Sequence, residues 1–190
     1  MEYLNTHPEE LDISRALAKV SAQRGALALR YLREEDRKLS LAAYLLLQLA
    51  LEKEYGITEP QDFAFGPGGK PYLKAYPGIH FNLSHCPAAA LCVVDSIPVG
   101  CDIETVENKI DTNLYRRVCS PQELQAILKA PHPPLAFTTL WTRKEAFLKL
   151  RGQGISDALP GLLACPEAAS ARFESHVAPD SSYVYTVCRQ

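Results

Sequence analysis

Apolar residues recur at helical spacing through residues 36–55, where Leu39, Ala42, Ala43, Leu46 and Leu49 fall on one stripe. The pattern predicts a core helix there, ended by Gly56. Further helical material is expected over residues 13–32. Residues 65–71, Phe-Gly-Pro-Gly-Gly-Lys-Pro, hold glycine and proline too densely for regular structure and predict a tight loop with exposed amides. Short runs at 79–83, 90–94 and 99–104, rich in β-branched or aromatic residues and parted by turn chemistry such as Asp95-Ser96-Ile97-Pro98, predict strands. Ser120-Pro121-Gln122-Glu123 marks a helix start, with Ser120 as cap, Pro121 in the first turn and Glu123 closing a capping box. A helix over 134–150 should stop at Gly152, and two closing strands are expected at 171–175 and 182–188. Each half thus reads as helices followed by strands, which predicts an α+β fold. The residues carry no internal repeat strong enough to claim duplication.

Composition narrows the class. A chain of 190 residues, 47% hydrophobic and 22% charged, suits one sizeable globular domain or two small ones. A formal net charge of −2 supplies no global field for nucleic acid or an anionic membrane, so any anionic ligand must be met locally. The longest apolar run, 41–51, is broken by Gln48 and falls short of the roughly 20 residues that span a bilayer. Met1-Glu2-Tyr3-Leu4-Asn5 lacks a basic stretch followed by an apolar one, so a cytoplasmic address is expected. The six cysteines lie far apart, without metal-ligand spacing, and are expected to be free, mostly buried thiols.

Four segments carry candidate chemistry. Asp102 and Glu104 flank Ile103 on a predicted strand, so they share a face roughly 6 to 7 Å apart and could hold one cation, or simply face water. Trp141, Glu145 and Lys149 form one helical stripe with a carboxylate and an ammonium a turn apart, which could equally be a surface ion pair. Phe81-Asn82-Leu83-Ser84-His85 ends a strand on a hydroxyl and an imidazole, donors suited to a phosphate or to capping a turn. No G-x-S-x-G surrounds Ser84, so a hydrolase nucleophile is unsupported. Gly68-Gly69-Lys70-Pro71-Tyr72 offers exposed amides and one ammonium, a weak phosphate signal alone.

Taken in order, G-K-P-Y at 69–72, F-N-L-S-H at 81–85, V-G-C-D-I-E at 99–104 and W-T-R-K-E-A-F-L-K at 141–149, followed by Gly152-Gln153-Gly154-Ile155-Ser156, closely resemble the motif series of 4'-phosphopantetheinyl transferases of the surfactin-synthetase type. The resemblance implies a monomeric α+β fold of two similar halves, 1–97 and 98–190, related by a pseudo-twofold axis, with coenzyme A in the cleft between them. It implies Mg²⁺ held by Asp102, Glu104 and Glu145, and transfer of the phosphopantetheine arm to a serine of an apo acyl or peptidyl carrier protein. Glu145 is then the first choice of base and Glu104 the second. Lys149 is implied as a pyrophosphate ligand, Ser84, His85 and Lys70 as contacts to coenzyme A, and Lys144 as a weaker phosphate contact. Arg24, Arg37 and Lys38 fall where the family has basic residues for the nucleotide end. Arg116-Arg117 offers a basic patch for an acidic carrier, or a solvated helix face. Two readings compete: a Mg²⁺-dependent hydrolase of nucleotide pyrophosphates, and a carrier-binding module without turnover.

Overall fold

The computed structural model, which describes residues 1–154 and 159–190, opens on a strand, β1 (Glu2–Asn5). Two short helices follow, α1 (Ile13–Leu17) and α2 (Ala22–Ala28), where one helical stretch is expected from the pattern. The break is a fresh start, because the Ser21 hydroxyl accepts the Arg24 amide and caps α2. Helix α3 (Glu34–Tyr55) ends on Gly56, which takes the left-handed conformation that glycine adopts without steric cost. The glycine-rich stretch is a tight hairpin between β2 (Ala64–Phe65) and β3 (Pro71–Tyr72). Strands β4 (His80–Cys86), β5 (Ala89–Asp95) and β6 (Val99–Thr105) lie where their runs of apolar residues predict them.

After β6 come α4 (Thr112–Val118), absent from the pattern reading, and α5 (Pro121–Lys129). The expected capping box of α5 is formed by both of its hydrogen bonds, Ser120 amide to Glu123 Oε2 at 2.7 Å and Glu123 amide to Ser120 Oγ at 3.2 Å. Helix α6 (Pro133–Arg151) stops on the left-handed Gly152, and α7 (Pro166–Ala169) leads into β7 (Arg172–Val177) and β8 (Tyr183–Arg189). Ile155 and Ser156, the end of the fourth motif, lie outside the described residues. The described cysteines are all free, and among them only Cys165 is not fully buried. Among the described residues no helix is long and apolar enough to cross a membrane.

Two antiparallel three-stranded sheets result, ordered β1-β5-β4 and β6-β8-β7. In each sheet the first strand in chain order pairs with the last, which pairs with the one before it. Each sheet therefore takes its first strand from ahead of the helices, where the hydrophobic pattern suggests helices first. Strand β5 is apolar on both faces because both are covered. Cys92 and Val94 pack with Tyr44, Leu47 and Leu51 of α3, whereas Leu91 and Val93 pack with Val99, Cys101 and Ile103 of β6 and Val187 of β8. Alternation along β6 then turns Gly100, Asp102 and Glu104 toward α6. The helix lies so close that a Cβ on Gly100 would fall 2.1 Å from the Ala146 carbonyl oxygen, which only a glycine permits.

Candidate active site

This packing brings the acids of β6 against the polar stripe of α6. Asp102, Glu104, Trp141, Glu145 and Lys149 line one cleft of about 400 Å³, together with Ser84 and His85 of β4 and Arg24 of α2. Leu27, Tyr31 and Phe65 give its mouth an apolar wall that the motifs did not reveal. Asp102 is 3% exposed, so the reading of a solvated strand face fails for it. Its Oδ1 accepts from Lys149 Nζ at 2.6 Å and from Ser84 Oγ at 2.8 Å. Glu104 Oε1 accepts the Trp141 indole N–H at 3.2 Å.

Burial raises the Glu104 carboxyl to about 7, helped by the charge of Asp102 and opposed by the Trp141 hydrogen bond. Glu145 is shifted upward too, by burial first and then by Asp102. Burial alone would lower the Lys149 ammonium, but the charge and hydrogen bond of Asp102 outweigh it and leave a net rise. Loss of water around the exposed His85 ring within the cleft, then the Lys149 and Arg24 charges, hold that imidazole below its ordinary value. Glu104 and Glu145 therefore take a proton more readily than ordinary carboxyls, and Lys149 beside them holds its own.

Asp102 Oδ2 and Glu145 Oε1 are buried without a hydrogen-bond partner. Two unsatisfied carboxylate oxygens in one cleft are the donor type that a hard divalent cation such as Mg²⁺ takes, so the residues fit such an ion. The carboxylates of Asp102, Glu104 and Glu145 are not drawn to within 4.8 Å of one another, a spacing that among the described residues only the exposed group His7, Glu9 and Glu10 reaches.

The basic residues named from the motifs divide. Arg24 lines the cleft and stacks over the Tyr44 ring at 5.7 Å; one terminal nitrogen donates to the Ser40 oxygens at 2.5 Å, and its Nε is buried without a partner. Lys70 borders a second cavity of about 240 Å³ shared with Gly68, Asn82 and Lys149. Two of its three donors are engaged, by Val99 O at 2.7 Å and Leu150 O at 3.1 Å. Arg37 Nε donates to Tyr31 O, and Lys38 to Glu9 O while pairing with Glu34; neither lines the cleft.

Lys144 does not reach the cleft either. Its ammonium is fully buried and directs all three donors at Val118 O, Glu123 Oε2 and Leu159 O, each at 2.8 Å, which leaves none for a phosphate. Its helical phase was a usable sign, since one residue from Glu145 is about 100° away around a helix. The Trp141 bond to Glu104 was not visible in the sequence, because it joins residues 37 apart.

Residues 98–188 match the family described as the 4'-phosphopantetheinyl transferase superfamily. The chain is 38% identical over 148 residues to a 4'-phosphopantetheinyl transferase of Bacillus subtilis, covering 75% of this chain and 64% of that protein. It is 33% identical over 183 residues to the 4'-phosphopantetheinyl transferase psf-1 of Bacillus pumilus, covering 89% and 78%. To the 4'-phosphopantetheinyl transferase Sfp of Bacillus subtilis strain 168 it is 27% identical over 157 residues, covering 81% and 70%.

Proposed function

Because this chain belongs to the 4'-phosphopantetheinyl transferase superfamily, we propose that it moves the 4'-phosphopantetheine arm of coenzyme A onto a serine of an apo acyl or peptidyl carrier protein, releasing 3',5'-ADP. The observation that carries this reading is the single cleft in which Asp102, Glu104, Glu145 and Lys149 converge from β6 and α6. Asp102 and Glu145, with the orphaned oxygens, and Glu104 beside them would hold Mg²⁺. When bound, such an ion neutralises charge on the diphosphate and its leaving oxygen.

The protein's own groups do the rest. The carrier serine oxygen bonds to the β-phosphorus as the bond from that phosphorus to the bridging oxygen breaks, and the departing 3',5'-ADP keeps that oxygen. The serine proton goes to Glu145, directly or through a water between them. Glu104 is the second choice because its Oε1 already accepts from Trp141. Lys149 sets a positive charge against the diphosphate, and Arg24, His85 and Lys70 supply donors toward the nucleotide end. Positioning and electrostatics account for most of the rate in this kind of transfer.

The enzyme acts as a cytoplasmic monomer, its halves 1–97 and 98–190 related by a pseudo-twofold axis. The equal strand order of the two sheets supports that relation. The exposed Arg116 and Arg117 on α4 suit an acidic carrier. Intact-mass spectrometry of apo carriers incubated with coenzyme A and Mg²⁺ tests the activity. A phosphopantetheine mass gain that disappears in folded Glu145→Ala is expected; labelling by that variant at the parental rate refutes the site. Release of phosphopantetheine with no acceptor present would instead favour the pyrophosphate hydrolase.

A further inference from the structure

Strands β4 and β6 are edge strands of different sheets, and no backbone ladder joins them. An edge strand turned into the interior leaves outward amides and carbonyls that need partners. Alternate residues of a strand direct their backbone groups to opposite edges, so Val99, Cys101 and Ile103 present theirs away from β8. Side chains meet them there. Lys70 Nζ donates to Val99 O at 2.7 Å, Asn82 Oδ1 accepts the Cys101 amide at 2.8 Å, and Ser84 Oγ accepts the Ile103 amide at 3.3 Å.

The three ties differ. Lys70 and Ser84 have further partners, and Ser84 also faces the active cleft. Asn82 is 5% exposed, does not line that cleft and turns its oxygen to the backbone of β6. A backbone N–H can only donate, so an acceptor is required at this point. The neighbouring residues show what the bond controls. Cys101 and Ile103 pack on one face against Leu91 and Val93, while Asp102 and Glu104 face α6 from the other. Fixing the Cys101 amide therefore fixes Asp102, one residue on, relative to His85, three residues after Asn82.

We propose that Asn82 is a positioning residue: its side-chain oxygen replaces one rung of the missing ladder and sets β6 against β4, so that Asp102 and Glu104 meet Glu145 at the spacing one divalent cation requires. The inference deepens the proposed function, since it rests on those acids being cation ligands.

The test compares the parental chain with Asn82→Leu, similar in shape but without an acceptor, and Asn82→Asp, which keeps the oxygen. The readouts are hydrogen exchange of the Cys101 amide by NMR, Mn²⁺ binding by electron paramagnetic resonance, 3',5'-ADP binding by calorimetry in EDTA, and steady-state labelling of an apo carrier. In Asn82→Leu the Cys101 amide should exchange severalfold faster while the Asp102 amide, which faces β8, keeps its protection. Mn²⁺ affinity should fall roughly tenfold, the low end for residues that orient metal ligands, and the labelling loss should fall on kcat rather than on KM for coenzyme A. Asn82→Asp should restore the exchange protection and most of the Mn²⁺ affinity. An unchanged Cys101 amide would overturn the proposal; so would faster exchange with parental Mn²⁺ binding and kcat, which is a purely structural tie, or weaker 3',5'-ADP binding with parental Mn²⁺ binding, which is a nucleotide contact. If Asn82→Leu does not fold, Asn82→Ala takes its place. A parental protein that binds Mn²⁺ yet labels no carrier sinks the transferase reading and leaves the exchange and Mn²⁺ contrasts standing; one that binds no Mn²⁺ sinks the cation role and this inference with it.

Discussion

Lys149 Nζ lies 2.6 Å from Asp102 Oδ1, a pair in which the aspartate side chain is 4% exposed and the lysine 29%. One partner comes from a helix and the other from a strand 47 residues earlier, so the contact reports directly on how α6 docks on β6. Removing one member leaves the other charge buried without compensation. Lys149→Met should lower stability toward the small end of the roughly 3 to 5 kcal/mol typical of broken buried pairs, because water still reaches part of the lysine. Adding Asp102→Asn should recover part of the loss. Urea denaturation of the two single variants and the double variant measures it, and additive losses would contradict the pairing.

Glu104 gives a pH signature. Its carboxyl sits at about 7 in the folded chain against an ordinary 4.5, so between those values the folded state holds a proton that the unfolded chain has released. Stability from this group is therefore complete below pH 4.5 and declines as pH rises toward 7. The upward shift of Glu145 acts in the same direction. In EDTA the melting temperature should carry this downward contribution across that window, and Glu104→Gln should remove the Glu104 share. Equal pH slopes for both proteins would contradict it.

Lys144 separates architecture from ligand binding. Lys144→Met strips two buried carbonyls and one part-buried carboxylate of their donor, and the loss should reach about 3 kcal/mol, as for other broken buried ion pairs. Coenzyme A affinity of the folded fraction should match the parent. Chemical denaturation and calorimetry measure the two separately, and weaker coenzyme A binding by a stable variant would return Lys144 to the site.

Gly100→Ala tests the closeness of helix and strand. The new methyl would lie 2.1 Å from Ala146 O and 2.3 Å from the Leu150 amide, and neither backbone atom can swing aside. The helix must lift, taking Glu145 and Lys149 away from Asp102. Overpacking of this kind costs about 1 to 3 kcal/mol, and carrier labelling should fall further than stability alone explains. A variant that keeps both parental stability and parental labelling would refute the contact.

Much of this was legible in the residues. The caps at Ser120, Gly56 and Gly152 act within a few residues, so local chemistry decides them, and the stripe Trp141, Glu145, Lys149 follows from helical period alone. Strand β1 escaped because four residues offer no alternation long enough to register, and it forms only by pairing with β5, some ninety residues on. The seven-residue α4 escaped although Asp111 caps it, since its apolar positions are too few to show a period. The assignment of Lys144 to phosphate illustrates the remaining gap: a donor inventory can be balanced only once neighbours distant in sequence are known.

The glycine hairpin bears on how the molecule can come apart. A Cβ on Gly68 would fall 1.6 Å from the Gly152 carbonyl oxygen, and Lys70 alongside grips Val99 O and Leu150 O, so the hairpin between β2 and β3 is seated on the exit of α6. Melting of either element would release the other's support, which favours loss of structure in one step over a stepwise one.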